Sequence, residues 1–446
     1  MNVTLDQVRA CLEGSIPAVL ATCAADGTPN VTYVSQMQYV DRQHVALTFQ
    51  FFNKTRENIL ANPQATALVV DPVSADSYRL TLLYLRTETE GPLFQAMKAK
   101  LAGIASHTGM SGVFKLQGAD IYRVHAVERV TGGGLPRPAR ERNLMQALRE
   151  SGQRLAHCPD LGSVFDLTLA LLAQEFRISH ALLLMADAPG QRLYTVASRG
   201  YSVTGVGSEI AFGDGVIGVA ARYRVPIRIN HMTLEYRYGQ VAGDGAATCA
   251  FGPLETEIPF PGLSEPHSQL AVPIVAAGRL LGVLCVESPN DLAFDYDDED
   301  ALVALASLVG TTTLALQHAG DTGSGADAAA PVPAVTAGPG IQVRHYRANH
   351  SIFVGSDYLI KGVAGAILWK LLQTQAATGR CSFSNRELRA MPDLGLPDLA
   401  DNLEARLVLL QRRLAERCPT IALEKAGRGQ QRLVLRGRLE LLEADG

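Results

Sequence analysis

Residues 399–437 read LADNLEARLVLLQRRLAERCPTIALEKAGRGQQRLVLRG. In the first half, Leu399, Leu403, Leu407, Leu410 and Leu414 recur at helical intervals, which makes one stripe of a helix apolar. In the second half, two alternating runs flank a basic, glycine-rich turn, the pattern of two antiparallel strands. Upstream, NRELRAM and VAGAILWKLLQTQAAT predict two more helices, the latter with the only tryptophan, Trp369. Gly379 ends that helix and CSFS reads as a short strand. SIFVGSDYLIKG, further upstream, predicts a hairpin.

Three helices followed by a two-stranded hairpin make a winged helix, a variant of the helix-turn-helix. The order also resembles the response-regulator-type effector domain over nearly all of residues 341–446. That resemblance implies a third helix that enters the major groove of DNA and a hairpin turn that touches neighbouring phosphates. Arg406, Arg412 and Arg413 lie outside the leucine stripe, and Lys425, Arg428 and Arg432 lie at or beside the turn. Arginine suits both bidentate contact with guanine and charge contact with phosphate. From Ile341 onward there are 16 Lys/Arg against 11 Asp/Glu, a net of +5; the remainder holds 24 against 33, a net of −9. Asp398, Asp401, Glu404 and Glu416 keep the region only mildly basic, so salt-sensitive binding by a dimer is expected. A winged helix used for assembly alone is the alternative.

Before this region, residues 319–340 (AGDTGSGADAAAPVPAVTAGPG) contain no aromatic, Leu or Ile and predict a flexible linker. TGGGLPRP at 131–138 marks a second break. The chain of 446 residues thus divides into a barrel over 1–132, a second domain over 140–318, the linker and the C-terminal domain. This is a multidomain α+β organisation. Hydrophobic residues form 47% and charged residues 19% of the chain, which fits folded globular domains and argues against a disordered protein. No apolar run of about 18–20 residues and no secretory leader are read. The seven cysteines, at 11, 23, 158, 249, 285, 381 and 418, form no CxxC pair or Cys/His cluster. A cytoplasmic location is expected.

In the first segment, IPAVLATCAADGTPNVTYVSQMQYVDRQHVALTF predicts strands at 17–23, about 30–40 and 44–50, with a turn at Asp26-Gly27. NKTRENILANP predicts a short helix closed by Pro63. Strands follow in ATALVVDP and YRLTLLYLRTETEG, then a helix at 92–105 and a strand pair near VFKLQGADIYRVHAVERV. This order resembles the pyridoxamine 5′-phosphate oxidase-like split barrel. The resemblance implies a dimer with FMN at its interface. Gln50, Asn53, Lys54 and Thr55 would hold the phosphate, and Thr32, Tyr33 and Val34 would face the ring. VTYVSQ carries no positive charge where the family has arginine. Haem, with His107 or His125 as ligand, and an empty barrel remain the alternatives.

The second segment opens with helices in NLMQALRESGQRLA and FDLTLALLAQEF. The stretches GDGVIGVAARYRVPIRIN, SQLAVPIVAAGRLLGVLCVES and FDYDDEDALVALASLVG follow, with a hairpin at Ala277-Gly278. Together they resemble the GAF domain, an α/β/α sensor fold that binds varied small molecules and often dimerises. A long insertion between the two halves offers His231, Tyr236, Tyr238, Cys249 and His267 as ligand contacts. Cys249 is a candidate redox-sensitive thiol or, with His267, a metal ligand; Cys285 reads as a core thiol. No nucleophile elbow, P-loop, dinucleotide fingerprint or HExxH motif is present, and no catalytic residue is assigned. The expected function is a one-component transcriptional regulator, a homodimer that senses a small molecule or redox state and binds DNA. A GAF-regulated FMN-dependent oxidoreductase and a haem-based gas sensor are the rivals.

Overall fold

The computed structural model describes residues 3–12, 16–34, 37–49, 54–107, 116–130, 134–136, 142–230, 258–322, 340–391, 394, 403–427 and 429–444. A 3-10 helix, Leu5–Leu12, precedes seven strands: β1 (Ala18–Cys23), β2 (Pro29–Val34), β3 (Met37–Asp41), β4 (His44–Phe49), β5 (Gln64–Val70), β6 (Ser77–Glu88) and β7 (Gly118–Arg129). They form one sheet in the order β2-β1-β5-β6-β7-β4-β3. Helix α1 (Lys54–Ala61) follows β4, and α2 (Pro92–His107) joins β6 to β7. The β1–β2 turn forms as expected: the Thr28 N–H donates to Asp26 Oδ1 at 2.9 Å, and Gly27 adopts φ 90°.

Two expectations change. The strand expected over 30–40 is two strands, β2 and β3, with 35–36 outside the described residues. Of the stretch 113–130 expected to hold a strand pair, 113–115 lie outside the described residues and the rest carries the single long β7. Its register with β6 shifts at Thr81/Leu82 and again at Tyr84/Arg86. Such bulges bend a long strand pair, so one strand can follow the curve that two were expected to make.

The next sheet has the order β10-β9-β8-β13-β12-β11, from β8 (His180–Asp187), β9 (Arg192–Arg199), β10 (Glu209–Ala211), β11 (Ile227–Ile229), β12 (Ser268–Ala276) and β13 (Arg279–Ser288). Its helices are α3 (Leu144–Leu155), α4 (Leu161–Gln174), α5 (Gly215–Tyr223) and α6 (Tyr296–Thr322). Leu183 and Met185 join a core with α3, α4 and α6, whereas Leu182 and Leu184 join a core with α5. Burial on both faces explains why β8 and β13 read as nearly unbroken apolar runs. Ala99 of α2 enters the α5 core, so a barrel helix completes this layer. By length and composition Tyr296–His318 of α6 could cross a membrane, an apolar span missed in the sequence. In the fold it packs on β12 and α3, which buries part of its apolar surface.

The C-terminal region runs β14 (Gly340–Tyr346), β15 (Ser351–Val354), β16 (Asp357–Ile360), α7 (Gly362–Thr378), β17 (Ser382–Ser384), α8 (Asn385–Arg389), α9 (Leu403–Arg417), β18 (Ile421–Gly427), β19 (Gln430–Leu435) and β20 (Arg438–Ala444). One sheet has the order β16-β15-β14-β20 and the other β17-β19-β18. The expected linker is shorter at its start, because α6 continues through Thr322; a helix already nucleated gains one hydrogen bond per added residue. Residues 323–339 lie outside the described residues.

A further difference concerns α9. Its leucine stripe is buried as expected, but Arg406 and Arg413, expected on the outward face, are buried too. The helix is covered on two sides, since it packs on α7 and β18 of its own region and also on α4 and β9. A continuous apolar core runs from Leu169 and Val196 to Leu410 and Leu433.

Candidate functional site

In the barrel, β2 is an edge strand that, among the described residues, pairs only with β1. Val31 and Tyr33 project outward, 65% and 79% exposed; Thr32 is half-buried and Val34 is buried. Lys54 opens α1, with Nζ 3.9 Å from Glu57. Asn30 Nδ2 donates to Thr55 Oγ1 at 2.9 Å, which ties the start of α1 to β2. Thus Thr32–Val34, Lys54 and Thr55 belong to one corner of the barrel. Gln50 and Asn53 lie outside the described residues.

The α1 N-terminus and the Lys54 ammonium could hold a flavin phosphate at this corner, whereas Val31 and Tyr33 alternate with Asn30 and lie on the other face of β2. The nearby cation Arg56 is engaged elsewhere: it pairs with buried Asp120, which also accepts from Thr87 Oγ1 at 2.5 Å. Sequence reading missed this cluster because its members are 64 residues apart. Of the two histidines considered for haem, His125 is exposed on β7 and the His107 side chain lies outside the described residues.

In the second domain, His231, Tyr236, Tyr238 and Cys249 lie outside the described residues. His267 is half-exposed and pairs with Asp291 at 3.4 Å. Among the described residues no group of three or more His, Cys, Asp or Glu could hold a metal. Cys285 is fully buried; burial first, and Glu287 second, raise its thiol well above the ordinary range.

Beside it, Glu287 is a buried acid that sequence reading did not single out. Oε2 accepts from Tyr201 Oη at 2.9 Å and from the Leu263 N–H at 3.0 Å; Oε1 accepts from Gln269 Nε2 at 2.8 Å. The His180 and Tyr201 rings lie 5.6 Å apart at its edge. Burial raises the Glu287 carboxyl above its ordinary value of 4.5, and these three donors offset only part of that rise. An acid raised in the folded state stabilises most below its unfolded pKa, and that contribution is lost as pH rises through the folded value. Glu287→Gln keeps one oxygen for Tyr201 and Leu263, and Gln269 can flip to accept from the new amide. The substitution is therefore expected to gain stability over wild type as pH rises above about 4.5 towards the raised folded value, followed by urea titrations across that range. A constant difference across that range would contradict the assignment.

The basic residues of the C-terminal region have definite partners. Arg406 Nη2 donates to Asp187 Oδ1 at 3.0 Å, and its guanidinium lies 5.4 Å from the Tyr194 ring centre. Arg412 donates to Asp166 Oδ1 at 2.7 Å, to the Val196 carbonyl at 2.8 Å and to the Gly162 carbonyl at 3.3 Å. Lys425 Nζ donates to Asp160 Oδ2 at 2.8 Å. Burial would raise the Asp160 carboxyl, but Lys425 and the Ser163 N–H outweigh it and hold it below the ordinary range. Arg413 points into its own region, where Nε donates to the Leu359 carbonyl at 2.8 Å. Arg432 is exposed on the hairpin and pairs with Glu424 at 2.9 Å; Arg428 lies outside the described residues.

Comparison with known proteins assigns the first two domains. Residues 4–117 match the family model for pyridoxamine 5′-phosphate oxidase, and residues 160–312 match that for the GAF domain. Among solved structures, the GAF domain of a phosphoenolpyruvate-protein phosphotransferase from Coxiella burnetii is 19% identical, with 40% of this chain and 97% of that one covered and a TM-score of 0.31. Free methionine-R-sulfoxide reductase from Neisseria meningitidis is 21% identical over 40% of this chain and 91% of that one, with a TM-score of 0.29. An FMN-binding protein from Syntrophomonas wolfei is 16% identical over 29% of this chain and 86% of that one, with a TM-score of 0.25. No curated protein matches the chain. The chain therefore joins a pyridoxamine 5′-phosphate oxidase-like N-terminal domain to a GAF domain.

Proposed function

We propose that the protein is a one-component, cytoplasmic transcriptional regulator, a homodimer in which the barrel and GAF domains sense a small molecule or redox state. The C-terminal region is then a winged-helix DNA-binding domain with α9 as its recognition helix. The observation that carries this reading is the order α7, β17, α8, α9, β18, β19 behind two sensory-type domains. The test is selection of genomic DNA fragments by the full-length protein at low salt. Salt-sensitive retention of a defined set of fragments, weakened by Arg432→Ala, is expected; no fragment retained either by the wild type or by the protein carrying Asp166→Asn with Asp187→Asn would overturn the reading.

FMN is the cofactor proposed for the barrel, where it would supply redox chemistry. Lys54 and Thr55 would hold the phosphate, with Thr32 and Val34 beside the ring. One charge-assisted hydrogen bond is worth about 1.5–3 kcal/mol, so Lys54→Ala should weaken FMN binding by about tenfold or more. Flavin fluorescence titration measures this. Absence of flavin binding by the wild-type protein would remove the barrel from the sensing role.

A further inference from the structure

We propose that the GAF domain holds α9 in a docked position that excludes DNA, with three aspartates occupying cations that a duplex would otherwise engage. This rests on the reading of α9 as a recognition helix. The leucine stripe at Leu403, Leu407, Leu410 and Leu414 faces the core. On the other side, Arg406 and Arg412 reach Asp187, Asp166 and the carbonyls of Val196 and Gly162. Apolar contacts extend the same face. Val408 Cγ2 lies 3.9 Å from where a Cβ on Gly162 would stand, and Leu409 Cδ1 3.8 Å from the equivalent point on Gly207. Lys425, at the base of the hairpin, is held by Asp160.

The major groove is about 12 Å wide and admits a helix of about 10–12 Å diameter only with its outward face free. That face is covered here, so docking on the GAF domain and insertion into DNA are mutually exclusive. The acceptors lie on α4, on β9 and at the end of β8. A ligand that shifts the β8–β9 hairpin against α4 would therefore change the fit for Arg406 and Arg412 together. Apparent DNA affinity is the intrinsic affinity reduced by the undocked fraction, so weakening the docked state must strengthen DNA binding.

The test uses the full-length protein and the fragments selected above. In Asp166→Asn with Asp187→Asn, α9 is unaltered, but the anionic partners that Arg412 and Arg406 find on the GAF domain are lost. Expected results are a larger radius in small-angle scattering and at least about tenfold tighter DNA binding. As a second variant, Val408→Cys with Gly162→Cys, joined by a short bifunctional thiol reagent, should lose binding that the untreated variant keeps. Equal affinity of wild type and the aspartate variant, or DNA binding by the joined form, overturns the docking proposal and leaves the DNA-binding reading intact. No DNA binding by either the wild type or the aspartate variant overturns the DNA-binding reading, and the proposal with it.

Discussion

Arg406→Ala is expected to destabilise the protein by roughly 2–3 kcal/mol in urea unfolding: removing one member of a buried ion pair costs roughly 3–5 kcal/mol, and Asp187, 25% exposed, keeps part of its solvation. The Arg406 side chain is only 6% exposed, and its stem and guanidinium fill the space between α9, Asp187 and the Tyr194 ring. Alanine leaves a void there and an aspartate without its partner. Replacing both members with apolar residues of similar size is often neutral, so Arg406→Met with Asp187→Leu should recover most of the loss. A loss below about 0.5 kcal/mol for Arg406→Ala would mean that the pair behaves like a surface salt bridge. This result separates two roles for the residue. A solvent-facing DNA contact would tolerate alanine in the free protein, whereas a docking residue would not.

Gly282→Ala is the second large effect. Gly282 lies in β13 at the centre of the GAF sheet, and a Cβ there would stand 2.0 Å from the Leu184 carbonyl oxygen. The sheet is irregular on both sides: β12 shifts register at Ile274/Val275 opposite Gly282, and β8 shifts against β9 at Leu183/Leu184. These bulges bring the β8 backbone close to Gly282. Neither strand can withdraw without breaking ladder hydrogen bonds in a layer packed on both faces. Overpacking typically costs about 1–3 kcal/mol, and two rigid backbones place this site at the upper end. The measurement is thermal unfolding followed through the GAF domain. An unchanged midpoint would show that the sheet relaxes around the methyl group.

Much of the local structure was legible in the chain. The alternation in AVLATC and PNVTYV, the Asp26-Gly27 and Ala277-Gly278 turns and the leucine spacing of α9 each report periodicities of two or 3.6 residues. Backbone geometry imposes these periods on any buried face. The two family assignments came from the same short patterns. Elements whose stability depends on distant partners were not legible. Strands β14 and β20 pair in parallel, Gly340 opposite Arg438 and Tyr346 opposite Ala444, across most of the C-terminal region. Neither GIQVRHY nor RLELLEA declares that partner by itself.

The candidate sites divide in the same way. Lys54 and Thr55 could be named because the contiguous stretch NKTRENILANP carries the resemblance to the split barrel, which implies a phosphate contact there. Glu287 could not, because its meaning comes from Tyr201, Leu263 and Gln269, which meet it only when the sheet is assembled. Arg406, Arg412 and Lys425 show the limit most plainly. Sequence established that they are basic, lie off the leucine stripe and suit a polyanion. Tertiary structure alone decided that their partners in this fold are Asp187, Asp166 and Asp160, since a charge takes the nearest well-placed counter-charge and chain separation places no limit on that choice.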